Sequence, residues 1–268
     1  MKESRLSYPD YLSVADSFNH KGTISNDYLT HRAEKLAQGG KLSAVIGKDN
    51  LFIIEDKDGF KQLYFYLNNP QEILALPEGV ITAEILFRAG SVGIETETDY
   101  LKQCGMQLHI LRDNYSMTLK TDDSGFSRYD DAVRDAESIE EVACSFDLFN
   151  RVFDRYTGDY VAPSFYPAIL EAKDIGVAID KETGRLMGAV HRSLEGKTVN
   201  LSHIAVDSDF RSRGIGKKLL DYFIDNNHRL GASRFTLWVQ NLNVIAKKMY
   251  EDYGFKYTNR SSQSLIKK

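Results

Sequence analysis

One run, Ile204 to Leu220, constrains this 268-residue chain more than any other. Apolar residues lead into a loop that carries Arg211, two residues, Gly214, one residue and Gly216. A helical pattern follows, with Leu219, Leu220, Phe223 and Leu230 on one face. His228 and Arg229 fall in its last turn, and Gly231 stands where a cap would be. Strand, glycine loop, helix is an order in which a fold can offer its backbone to an anion. The first helical turn leaves N–H groups unpaired and aims a partial positive charge outward. Glycines at 214 and 216 remove the side chains that would hold oxygen atoms away from those donors. Arg211, Arg213, Lys217 and Lys218 crowd cations at an end where helices ordinarily disfavour them, which makes most sense if an anion binds there.

Other glycine-rich loops fit less well. The dinucleotide fingerprint needs a third glycine and an acidic residue about 20 positions on; the third glycine is missing. The nucleotide triphosphate loop needs Ser or Thr after Gly-Lys, and Lys218 follows Lys217 here. A plain tight turn would explain the glycines but not the cations.

The rest of the chain sets the frame. With 42% hydrophobic and 27% charged residues, 15 Tyr and 14 Phe, it has ordinary globular composition, enough for one large domain or two medium ones. A formal net charge of −4 argues against nucleic acid or an anionic membrane as partner. The acidity lies in residues 1–130, with a net of −5, whereas the remainder is +1 and better suited to an anionic ligand. Cys104 and Cys144 lack metal-ligand spacing, so no disulfide framework and no metal site is indicated; two buried, reduced thiols are expected. Residues 1–14 have no apolar signal core and no run is long enough to span a bilayer, so a cytoplasmic protein is expected.

In the first half, Ile24 to Leu36 reads as a helix. Strands are expected at Leu51–Ile54, Leu63–Leu67 and Ile81–Phe87, a helix at Thr98–Gln103 and a strand pair within Met106–Leu119. A polar stretch, 120–127, reads as a linker, which divides the chain into domains 1–120 and 128–268. Beyond it the pattern is clearer: a helix over 139–153, strands near 176–180, 185–192, 198–206 and 235–239, a helix over 244–253 and a last strand after Phe255.

The loop resembles the coenzyme-binding core of the GNAT superfamily of acyltransferases. A second block agrees at the expected distance, with Asn243, Ala246, Tyr250, Gly254 and Phe255 in the family's spacing. The resemblance covers about 128–268. It implies an α+β fold whose mixed sheet splays after the strand ending at Val206, and acetyl-CoA as cosubstrate. It implies a pantetheine arm on the backbone of Ile204, Ala205 and Val206, and a diphosphate on the N–H groups of Ser212, Arg213, Gly214, Ile215, Gly216 and Lys217 beside Arg211. Asn243 then bonds the amide-rich arm, and Tyr250 is the acid that protonates the leaving thiolate. The implied activity is direct acetyl transfer to a primary amine in a ternary complex, of a small molecule first and a peptide or protein second. A non-catalytic acyl-CoA sensor, or use of a longer acyl donor, remains the alternative, and a homodimer is left open.

The general base is where the resemblance gives no residue. Period-2 alternation puts Asn200, Ser202, Ile204 and Val206 on one face and His203 on the other, unless a bulge rotates it. A common base position falls on Asn200, which cannot take a proton. Asn200 or Ser202 holding a relay water is one reading, His203 another, and an amine of low pKa needs no strong base. The first half reads either as a worn copy of the second or as an unrelated lid. If it is a copy, Leu101 lies opposite Tyr250 and the glycine loop is lost.

Overall fold

The computed structural model describes residues 3–90, 94–120, 132–157 and 160–268. Of the linker read at 120–127, residues 121–127 lie outside them. The chain forms two compact units, one of Met1–Arg112 with Asn259–Lys268, the other of Asp113–Thr258. These divisions differ from the boundaries read at 120 and 128. Both fall inside strands, because the segments that close each unit's sheet come from beyond a loop-based boundary.

In the second unit, β8 (Val133–Asp135), β9 (Ile175–Ile179), β10 (Leu186–Glu195) and β11 (Thr198–Val206) form an antiparallel run. β12 (Arg234–Gln240) lies parallel to β11, and the end of β7 (Gln107–Thr118) lies beyond it. α4 (Ile139–Val152) packs on one face through Val142, Phe146 and Phe149. Ser138 caps it by accepting the Glu141 N–H, with Glu140 and Glu141 in the first turn. α5 (Tyr166–Glu171) adds Tyr166, stacked on Phe146. The other face carries α6 (Ile215–Arg229) and α7 (Val244–Asp252). Leu219, Leu220 and Phe223 bury themselves there as their spacing requires, but Leu230 is 67% exposed, because the helix ends before it.

In the first unit, β1 (Ser4–Arg5), β3 (Leu42–Ile46), β4 (Leu51–Asp56) and β5 (Lys61–Leu67) pair antiparallel in that order. β6 (Ile81–Arg88) runs parallel to β5, and the end of β13 (Lys256–Lys267) pairs antiparallel with β6 from Arg260↔Arg88 to Lys267↔Ile81. The helices are α1 (Tyr8–Phe18), α2 (Thr30–Gln38) and α3 (Ile94–Gln103). Two expectations are corrected. The helix read from Ile24 is a short strand, β2 (Ile24–Ser25), followed by α2, because β5 claims Ile24 and Ser25 as partners. The strand pair read within 106–119 is the single strand β7. The thiols are free as expected, but Cys104 is half-buried and Cys144 exposed, since it falls on the outer side of α4.

Candidate functional site

β11 and β12 part company early. Their ladder runs from Thr198↔Arg234 to Leu201↔Leu237, yet β11 continues to Val206 and β12 to Gln240. Beyond Leu201 the strands form a fork, and backbone groups along Ser202–Val206 lack a strand partner on that side among the described residues.

A bulge stands where the fork opens. His191 of β10 pairs with His203, but Arg192 pairs with Leu201, which leaves Ser202 as the extra residue. The alternation of β11 therefore inverts. Val199 and Leu201 pack toward α6, and so do Ile204 and Val206, while His203 and Ala205 turn to the α4 face. The expectation that Asn200 and Ser202 share a face with Ile204 and Val206 is thus overturned, because one inserted residue shifts the period-2 register. Asn200 pairs with Ser193, two positions beyond His191 on β10, and so lies on the α4 face. Asn200 Nδ2 donates to Ser202 Oγ at 3.3 Å, Thr236 Oγ1 donates to Asn200 Oδ1 at 3.2 Å, and Ser193 Oγ is 3.4 Å from Ser202 Oγ. These groups are all neutral.

His203 is 4% exposed and lies against Phe146, Phe149 and Phe153 of α4 and the residue after it. Its Nδ1 is 3.0 Å from His191 Nδ1, so one ring donates and the other accepts. Burial first, and the neighbouring imidazole second, push the His191 pKa down to about 3, which keeps that ring neutral near pH 7. Sequence reasoning missed this pair because its two halves are 12 residues apart and meet only across the bulged ladder.

At the far end of β11 the loop turns into α6. Gly214 is the N-cap, with φ 76°, and no side chain caps the helix. Ser212 also has positive φ, 63°, a conformation uncommon outside glycine. Left-handed residues in such a loop turn successive N–H groups toward one concavity, an arrangement that suits anions. A Cβ at Gly214 would meet nothing within 4 Å, and one at Gly216 would touch only Val206 Cγ2 at 3.7 Å. Neighbouring side chains leave that space open. The Ile215 side chain is buried in the core. Arg211 donates from Nε to the Val206 carbonyl at 3.4 Å. Arg213 bonds the Asp209 carbonyl at 3.1 Å and lies over the Phe210 ring. Lys217 is exposed at the same end.

The region around this fork has a family likeness. Residues 141–255 match the model of the acetyltransferase (GNAT) family. The chain carries a GNAT acyltransferase domain. N-acetylaspartate synthetase of Xenopus tropicalis is 30% identical over 123 residues, which span 44% of this chain and 40% of that protein. The ribosomal protein bS18-alanine N-acetyltransferase of Haemophilus ducreyi is 29% identical over 110 residues, 40% of this chain and 75% of its own length. Among solved structures, a GCN5-related N-acetyltransferase from Sphaerobacter thermophilus superposes with TM-score 0.59 at 14% identity, covering 88% of this chain and 85% of that one. A tandem GNAT protein from the clavulanic acid biosynthesis pathway gives 0.55 at 10% identity over 99% and 98%. At such identities the likeness concerns the fold.

Within the GNAT domain, Tyr250 lies on α7, 5% exposed, in the cluster that also holds Leu237, Val239 and Phe255. Burial raises its phenol pKa, and its hydroxyl has no hydrogen-bond partner among the described residues. Asn243 is the N-cap of α7, where its Oδ1 accepts the Ala246 N–H at 3.1 Å and Nδ2 points no bond at the helix. A second site feature escaped the sequence. Asp113 of β7 receives Asn241 Nδ2 at 2.9 Å and Lys247 Nζ at 2.5 Å, which fixes the entrance to α7. A boundary drawn at residue 120 had placed Asp113 outside this domain. Among the described residues no helix is long and apolar enough to cross a membrane.

Proposed function

We propose that the GNAT domain transfers an acetyl group from acetyl-CoA to the neutral form of a primary amine, foremost of a small molecule, with both substrates bound together. The observation that carries this reading is one strand, β11, that bears an opened ladder after Leu201, a bulge at Ser202 and an uncapped helix N-terminus ahead of it. Ile204, Ala205 and Val206 offer backbone groups to an extended amide chain, as a sheet edge does. Ser212 to Lys217 offer N–H groups, with Arg211 and Lys217 nearby, to a diphosphate. Asn243 Nδ2 is left for the amide arm while Oδ1 holds the helix.

When bound, acetyl-CoA supplies an acyl carbon already activated as a thioester. Backbone N–H groups near Val206 stand ready for negative charge on the acyl oxygen. Tyr250 retains its proton to well above neutral pH, and its dry surroundings would raise the basicity of a thiolate beside it in the same way. Asn200 and Ser202 orient the incoming amine and a water rather than strip it of a proton.

The neutrality of that network bears on the acceptor. An amine with pKa near 8, such as an α-amino group, is partly uncharged at pH 7, whereas a lysine-type amine near 10.4 is almost wholly protonated. An acceptor of low pKa therefore suits the site best. Relatives named for N-acetylaspartate and for N-acetylation of an alanine point to the same class of nitrogen.

Thiol release should be followed with α-amino acids, short peptides, aminosugars and polyamines. Small α-amines are expected to turn over fastest, with kcat/KM rising with pH along the acceptor's own titration. Peptides outrunning every small amine would move the assignment to a peptide or protein substrate. No heat with CoA or acetyl-CoA on folded protein would remove the coenzyme reading itself.

A further inference from the structure

The first unit contains a fork of the same kind, and it is already filled. β5 and β6 are parallel and pair only over Lys61↔Ile81, Gln62↔Thr82 and Leu63↔Ala83, though β5 runs on to Leu67 and β6 to Arg88. α3 follows β6 as α7 follows β12. The two helices end on the same backbone bond, Met106 N–H to the Leu101 carbonyl at 3.0 Å and Phe255 N–H to the Tyr250 carbonyl at 3.1 Å. Leu101 thus takes the place of Tyr250.

The chain's own segment covers the open side of β5. β2 pairs antiparallel with it, Ile24↔Leu67 and Ser25↔Tyr66. Asn26 reaches deeper. Its backbone N–H donates to the Phe65 carbonyl at 3.4 Å, and its Oδ1 accepts the Phe65 N–H at 2.7 Å. Its Nδ2 donates to the Leu63 carbonyl at 3.3 Å on one arm and the Glu84 carbonyl at 3.0 Å on the other. A single side-chain amide therefore bridges both prongs. Leu63 to Leu67 are buried without interruption, whereas half-buried residues alternate along β11.

We propose that Ile24–Asn26 is a built-in occupant of the second fork, holding the position that an acyl-CoA amide arm takes in the GNAT domain, so that each chain binds one coenzyme. The inference rests on the reading of the β11–β12 fork as the pantetheine groove. The match is chemical: an extended run of amides bonded along one parallel strand. Displacing it would take from the Phe65 N–H and from the Leu63 and Glu84 carbonyls the partners that Asn26 gives them. Nor does a phosphate cradle follow, for the chain between Leu67 and Ile81 contains no helix.

Two measurements on the full chain test this. Calorimetric or native-mass titration with CoA should count one per chain, and none for Gly214→Glu, whose side chain would fill the GNAT cradle. Two per chain, or one that persists in Gly214→Glu, overturns the proposal. Hydrogen exchange without coenzyme should find the Phe65 amide as protected as core strands, and Asn26→Ala should speed its exchange by about tenfold or more with the count unchanged. A rapidly exchanging Phe65 in the unaltered chain overturns the proposal even if no CoA binds, whereas zero binding with a protected Phe65 sinks only the reading of the GNAT fork.

Discussion

Tyr250 holds its proton because burial penalises the phenolate, and nothing described bonds its oxygen in compensation. Tyr250→Phe removes the oxygen and little of the packing against Phe255. Turnover should fall by roughly 10- to 1000-fold, within or below the usual range for a lost general acid, with CoA affinity unchanged in a titration. An unaltered rate would free Tyr250 of that role. The imidazole pair makes a second prediction. His191 titrates far below the ordinary histidine range in the folded chain, so the unfolded chain takes up the proton first. The stability His191 gives is complete above about pH 6.5 and is lost as pH falls toward 3. Thermal melts should show an acid limb over that interval, and His191→Gln should flatten it. At this scale the sequence was most legible in local backbone form, as at Gly214, the left-handed residue that opens α6. It was least legible at Ser202, since an extra residue in a strand changes which neighbours face a site without changing any residue's character.

Elements explain how the first turn of α6 is placed. α6 comes close to the sheet at Gly188, where a Cβ would lie 2.8 Å from the Ala205 carbonyl oxygen and 3.0 Å from Leu219 Cδ1. Gly188→Val should push the first turn of α6 away from β11, destabilise the domain by about 1–3 kcal/mol as overpacking does, and weaken CoA binding. Unchanged melting and affinity would show that α6 is not held in place there. Strands bounded by turn chemistry, such as β4 and β5 around Lys57 to Gly59, were readable because their signals are local. β2 was not. Its two residues are strand only because β5, some forty positions on, supplies the partner, and the same holds for the single long course of β7.

For the whole molecule, the membership of the two units matters more than the linker between their sequences. The GNAT domain's apolar cluster includes Tyr115, Met117 and Leu119, which precede the linker. Burial of each is worth about 1.5–3 kcal/mol, so a fragment 128–268 should melt without cooperativity and bind a hydrophobic dye, whereas 113–258 should fold. Equal melts would show that β7 is dispensable. The first unit has the mirror dependence, because residues 259–268 provide the antiparallel partner of β6. During synthesis at ~5–20 residues per second, roughly 9 to 36 s pass between the emergence of β6 and that of its partner. The half translated first is therefore finished last, and through that delay the nascent chain presents a bare apolar edge that invites chaperone capture.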